Sequence, residues 1–296
     1  MVVDGHVHIH PCFDLRVVLD AALQNFQRLG CSDAAFLLAL TESCSQDVFG
    51  EMRRQVVGAD GALSRNVADL GEWQITLTEE PDSLKATRER AALGDRALPS
   101  ETLYVVAGRQ IASSEGLEVL ALATDQPFED FQPMEETIQA VVDRGGVPVV
   151  PWGVGKWMGR RGRRLSALLA APLPKLFLAD NSSRPSFWPE PPLFRVARSR
   201  GLFVLSGTDP LPLKSEANRA GLAGFQLVGT FDSDRPAASL RRALLTVGEA
   251  AEAAEAGTSV DGTFRLPQIY GALERPVRAV RNQLAMQFIK RFGRWV

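Results

Sequence analysis

All of the histidine in the chain lies within its first ten residues. His6, His8 and His10 alternate with Val7 and Ile9, and no other histidine occurs among 296 residues. In an extended strand successive side chains point to opposite faces, so the three imidazoles share one face. Neighbours at i and i+2 stand roughly 6–7 Å apart along such a strand. Two imidazole nitrogens at that spacing can reach one divalent cation, and a carboxylate from elsewhere can complete the set. Asp4 has the same parity and is placed to orient a ligand imidazole from behind. The chemistry expected of such a strand is metal-assisted hydrolysis, in which the cation lowers the pKa of a water that becomes the nucleophile. The three cysteines, Cys12, Cys31 and Cys44, have no CxxC spacing and give no thiolate zinc motif.

A strand carrying ligands needs neighbours to bring the rest of the set. The apolar pattern supplies them by alternating short extended runs with helical ones. Residues 1–9 read as a strand, and Leu15, Val18, Leu19, Leu23 and Phe26 then recur at helical spacing before Gly30. Further strands are expected at 34–40, 73–78, 103–107, 117–123, 147–150, 175–179, 202–206 and 224–228. Helices are expected at 46–57, 84–93, 134–144, 163–171, 192–200 and 237–256. Repeated β-then-α units with apolar strands imply parallel strands with helices outside. Seven or eight such units predict one domain over 1–296, a distorted TIM-like (β/α)7–8 barrel with an irregular excursion at about 58–101. Gly153-Val154-Gly155 lacks the third glycine of a dinucleotide fingerprint and runs into Lys156-Trp157. A net charge of −2 does not suit a general nucleic-acid surface, so no nucleic-acid partner is expected. No leader pattern opens the chain and no apolar run reaches ~18 residues, so a cytoplasmic protein is expected.

Asp4-Gly5-His6-Val7-His8 resembles the Asp-x-His-x-His opening of the PHP (polymerase and histidinol phosphatase) family. It is also similar to the opening of the amidohydrolase superfamily. Three later segments favour the former. Gly108-Arg109-Gln110 stands where that family has Gly-x-Glu, and Leu117-Glu118-Val119-Leu120-Ala121-Leu122 resembles its His-Val-Leu-Gly segment. Gly207-Thr208-Asp209-Pro210-Leu211-Pro212 resembles its terminal Gly-Ser-Asp-x-His motif. The overlap runs from residue 1 to about residue 230. The resemblance implies a phosphoesterase-like barrel with metal at the C-terminal ends of its strands. It implies His6, His8 and Asp209 as metal ligands, with Asp209 and His8 in the catalytic machinery. The chain departs from the family at Gln110 (Glu there), Glu118 (His), Trp152 (the His of a His-Pro) and Leu211 (the final His). The implied site is therefore reduced, holding one divalent ion (Mn, Fe or Zn). His10, Glu118 and Asp180, the last at the end of strand 175–179, are additional candidate ligands.

The segment from Lys156 to Arg164 carries five cations in nine residues, after the strand ending near Pro151. Arginine suits bidentate phosphate or carboxylate binding, and cations at a helix start oppose the helix dipole. An anion-binding loop beside the histidines is expected, with Arg160 and Arg161 holding a small anionic substrate such as a phosphate ester. Asn181 and Arg184 are expected at the same mouth as further substrate contacts. Residues 275–294 read as a basic amphipathic helix, suited to an anionic membrane surface or a protein partner. The leading expectation is a PHP-like metal-dependent hydrolase. The alternatives are a non-catalytic relative that binds an anionic ligand or a protein, and an amidohydrolase-type enzyme cleaving C–N or C–O bonds. Fold alone does not choose among them.

Overall fold

The structure, a computed structural model, describes residues 1–31, 33–57, 70–89, 101–171, 176–181, 184–255, 268–271 and 284. The basic segment at 275–294 lies, but for residue 284, outside the described residues. Among those described, the strands are β1 (Val2–Val7), β2 (Phe36–Leu40), β3 (Trp73–Leu77), β4 (Ser83–Arg88), β5 (Glu101–Val106) and β6 (Gly108–Ala112). They continue as β7 (Glu118–Leu122), β8 (Val147–Pro151), β9 (Phe177–Asn181), β10 (Val204–Gly207), β11 (Gly224–Gln226) and β12 (Gln268–Tyr270). The helices are α1 (Leu15–Gln27), α2 (Val48–Val57), α3 (Met134–Asp143), α4 (Gly159–Ala170), α5 (Pro192–Arg198) and α6 (Pro236–Glu255).

These strands do not close into a parallel barrel. They form two mixed sheets, seven strands in the order β12-β11-β1-β2-β5-β4-β3 and five in the order β10-β9-β8-β7-β6. The reason is a change of direction. β1, β2 and β5 run parallel, as do β8, β9 and β10, but β3–β4–β5 and β6–β7–β8 pair antiparallel. Hairpins stand where helical crossovers were expected, and β11 and β12 add a second antiparallel edge. Residues 73–77 and 83–88 are therefore part of the seven-stranded sheet and not an excursion from a barrel. The helix expected at 84–93 is instead a strand up to Arg88, with Leu84 and Ala86 buried and Lys85 and Thr87 more exposed.

Three apolar cores hold the layers. Val3, Leu37, Leu120, Val149, Phe177 and Phe225 pack between the sheets, together with Leu240 and Leu244 of α6. Val18, Leu19, Leu23 and Phe26 of α1 cover the outer face of the larger sheet, and α3, α4 and α5 cover the smaller. Each fully buried Leu or Phe is worth ~1.5–3 kcal/mol relative to exposure. α1 begins at Asp14, whose carboxylate accepts the Arg16 N–H at 2.9 Å. Among the described residues no helix is long and apolar enough to cross a membrane.

Two short seams join the sheets. Beyond β2, Glu42 bridges to β6, its N–H donating to Gly108 O and its carbonyl accepting from Gln110 N. Its buried side chain caps α2, accepting the Val48 N–H at 2.6 Å and the Phe49 N–H at 3.2 Å. Burial pushes the Glu42 carboxyl up to about 7, against the pull of Arg109 and the two amides. The ordinary unfolded value is ~4.3, so the folded chain retains a proton that the unfolded chain has lost. That stabilisation is complete below ~4.3 and disappears as pH rises through about 7. Urea unfolding at pH 5 and pH 8 is expected to show a larger loss for the wild type than for Glu42→Gln, by on the order of 1–3 kcal/mol. Equal losses would remove Glu42 as the cause.

At the second seam β1 lies against β10 without a ladder, and the Asp209 N–H donates to the His6 carbonyl at 2.8 Å. The ends of β1, β9 and β10 meet the middle of β6 there.

Candidate metal centre

β1 is buried along its whole length because β2 and β11 flank it. His6 lies near its end and His8 just beyond, and both side chains are buried. Their Nε2 atoms are 3.0 Å apart. Gln110 Oε1, from β6, lies 3.2 Å from each. Asp209 Oδ1 lies 3.5 Å from His6 Nε2 and 3.6 Å from His8 Nε2. Ligand atoms that share one ion at ~2.1 Å stand ~3.0–3.4 Å from one another in octahedral or tetrahedral geometry. The spacing is therefore that of a single coordination shell, and His6, His8 and Asp209 could hold one metal ion.

The protonation pattern fits a cation. Asn181 Nδ2 faces two oxygens, the Trp152 carbonyl at 3.3 Å and Asp209 Oδ2 at 3.2 Å. Neither can donate to it in the ionised site, so the amide orientation is set and Asn181 Oδ1 must face His6 Nδ1, 3.1 Å away. That contact puts the His6 proton on Nδ1 and leaves the Nε2 lone pair directed at the group. Burial, reinforced by the charge of His6, pushes His8 down to about 3, so its imidazole is neutral at physiological pH. His8 Nδ1 is buried without a partner. Burial opposes ionisation of Asp209, but the imidazoles of His6 and His8 and the ammonium of Lys156 hold its carboxyl below the ordinary range.

Asp209 itself sits at φ 43, in the left-handed region that few residues other than glycine adopt. Asp4 supplies the hold. Its Oδ1 accepts from Thr208 N at 2.9 Å, and its Oδ2 accepts from Thr208 Oγ1 at 2.6 Å and Gly221 N at 2.8 Å. Asp4 therefore grips the strand-to-loop turn and does not orient an imidazole. Gly207 permits the approach, because a Cβ there would run into the backbone nitrogen and Cβ of His6. Gly207→Ala is expected to destabilise the fold by ~2 kcal/mol or more, since backbone must move to admit the methyl. Denaturant unfolding measures it, and a loss below ~0.5 kcal/mol would mean the seam yields freely.

No family model matches the chain, and no curated protein matches it by sequence. Solved structures of similar fold are found. PsfC from Pseudomonas syringae PB-5123 superposes with a TM-score of 0.55 at 14% identity, over 97% of this chain and 98% of PsfC. At that identity the likeness is one of fold alone, and it extends along nearly the whole chain.

The other residues singled out in the sequence are placed elsewhere. His10 stacks on His8, but its Nε2 is bonded to the Pro210 carbonyl at 2.9 Å. Glu118, first in β7, pairs with Lys156 at 2.5 Å. Asp180 precedes Asn181 on β9 and so faces the other way, where Arg184 chelates it at 2.7 and 3.0 Å. Arg184 also donates to the Trp188 carbonyl and is not free for a substrate. Arg160 and Arg161 open on a different groove, beside Ser114 and Glu115. Trp152 packs against Trp188 as an apolar wall, its carbonyl held by Asn181. Three neighbours of the group were not assigned to it from the sequence: Gln110, read as a departure from the family's glutamate; Asn181, read as a substrate contact; and Lys156, read as one cation among five.

Proposed function

We propose that the chain is a metal-dependent hydrolase of the kind implied by the PHP resemblance. One divalent ion (Zn, Mn or Fe) would be held by His6, His8 and Asp209. The observation that carries this reading is the meeting of two buried imidazole nitrogens, a carboxylate oxygen and the Gln110 carbonyl oxygen within 3.0–3.6 Å. When bound, the ion supplies Lewis acidity and a water of lowered pKa for attack on an ester or amide. The protein's own groups do the rest. Asn181 keeps the proton of His6 on Nδ1 and fixes one oxygen of Asp209. The other oxygen, Oδ1, faces the two imidazole nitrogens as the carboxylate ligand. The Lys156 ammonium, paired with Glu118, adds positive charge near Asp209, on the side where an anionic substrate such as a phosphate ester would approach. Trp152 and Trp188 shield one side from solvent.

The test is turnover. Untagged protein reconstituted with Zn, Mn or Fe is assayed against a panel of phosphomonoesters, phosphodiesters and simple amides. Hydrolysis that requires metal and stops with EDTA is expected. Metal bound without turnover of any member would overturn the hydrolase reading and leave a metal-binding protein.

A further inference from the structure

A second cluster lies apart from the histidines. Arg160, Arg161, Arg163 and Arg164 fall within five positions at the start of α4, and no acid sits in that first turn. There the helix dipole repels cations, so helix stability does not account for the four guanidiniums. With Ser114 and Glu115 of the β6–β7 connection and Ala167 of α4, they line a groove of about 650 Å³. Four cations face one carboxylate.

Two of the four are engaged within the protein. Arg164 pairs with Glu135 at 2.6 Å and lies 3.6 Å from Glu115. Arg161 reaches the carbonyls of Gly116 and Gly155. Glu115, the one acid of the lining, is also engaged, since both its oxygens accept the Met134 N–H at the start of α3. Arg160 and Arg163 have no hydrogen-bonding or ionic partner among the described residues.

We propose that this groove binds a small multiply charged anion of the diphosphate or polyphosphate type, with Arg160 and Arg163 as its principal contacts. A guanidinium presents two parallel donors that match one phosphate group, so two uncommitted arginines suit two linked phosphates better than one. Arg161 and the Ser114 hydroxyl lie beside them in the same lining. The groove falls within the ~300–1,000 Å³ range of small-molecule sites. No lining residue belongs to the histidine group, so the proposal does not depend on the hydrolase reading.

Isothermal titration with inorganic pyrophosphate, and with orthophosphate at matched ionic strength, tests it. The full chain is used in EDTA, so that metal plays no part. Saturable binding of about one pyrophosphate per chain is expected, tighter than orthophosphate by ~10-fold or more. Arg160→Glu/Arg163→Glu should weaken it at least ~10-fold, while His6→Ala/His8→Ala should leave it unchanged. Arg160→Gln/Arg163→Gln repeats the test with a milder change, should the charge reversal misfold. The absence of saturable binding, or equal binding in wild type and the glutamine pair, would overturn the proposal. So would capture by anionic vesicles or nucleic acid that pyrophosphate does not displace.

Discussion

Purified without a His tag and reconstituted with Zn, Mn or Fe, the wild-type chain is expected to retain about one ion, and His6→Ala/His8→Ala none above background. Each histidine presents Nε2 to the group, and no other histidine in the chain could substitute except His10. His10 is bonded through Nε2 to the Pro210 carbonyl and would have to abandon that contact. The double variant leaves a carboxylate and an amide oxygen, a set that binds transition metals weakly at low concentration. Both side chains are buried and their loss leaves Asn181 Oδ1 and Gln110 Oε1 without their imidazole partners, so circular dichroism is recorded to confirm that the variant is folded. Elemental analysis after gel filtration reads the result. A stoichiometric ion in the double variant would place the metal elsewhere, and no ion in the wild type would remove the metal reading altogether.

The second large effect concerns Asp4. Its carboxylate is fully buried and takes the Thr208 hydroxyl and the backbone N–H groups of Thr208 and Gly221. Asp4→Ala strands those donors away from water, and a broken buried network of this kind costs ~3–5 kcal/mol. The same change frees the turn that holds Asp209 in its left-handed conformation. Metal affinity should therefore fall in the variant even where it is fully folded. Asp4→Asn keeps one acceptor oxygen and should lie between the two. Denaturant unfolding reads the stability, and hydrogen exchange at the Thr208 and Gly221 amides reads the local loosening. A loss below ~1 kcal/mol with those amides still protected would contradict the role assigned to Asp4.

What the sequence made legible follows from local periodicity. The two-residue period of β1 puts His6 and His8 on one face, and Gly207-Thr208-Asp209 marks the end of an apolar strand. The helical spacing of Leu15, Val18, Leu19, Leu23 and Phe26 likewise finds α1. What stayed hidden depends on partners far along the chain. Asn181 and His6 are 175 positions apart. Asp180 and Asn181 are both polar ends of β9, and one residue of register decides which enters the site. Lys85, Arg88 and Glu89 favour a helix locally, yet pairing with β3 and β5 makes residues 83–88 a strand. The barrel expectation assumed that each strand is followed by a helical crossover. The β3–β4 and β6–β7 hairpins break that assumption, and nothing in the apolar pattern announces the change of direction.

The seam between β1 and β10 has a mechanical consequence. His6 and His8 belong to the seven-stranded sheet, whereas Gln110 and Asn181 belong to the five-stranded one and Asp209 follows its last strand. An ion shared among them would act as a rivet through both sheets, beside the apolar core that already packs between them. Occupancy at 100 times the dissociation constant adds ~2.7 kcal/mol to the folded state. That free energy would resist the parting of the two sheets, so an ion bound there would brace the fold as well as fill the site.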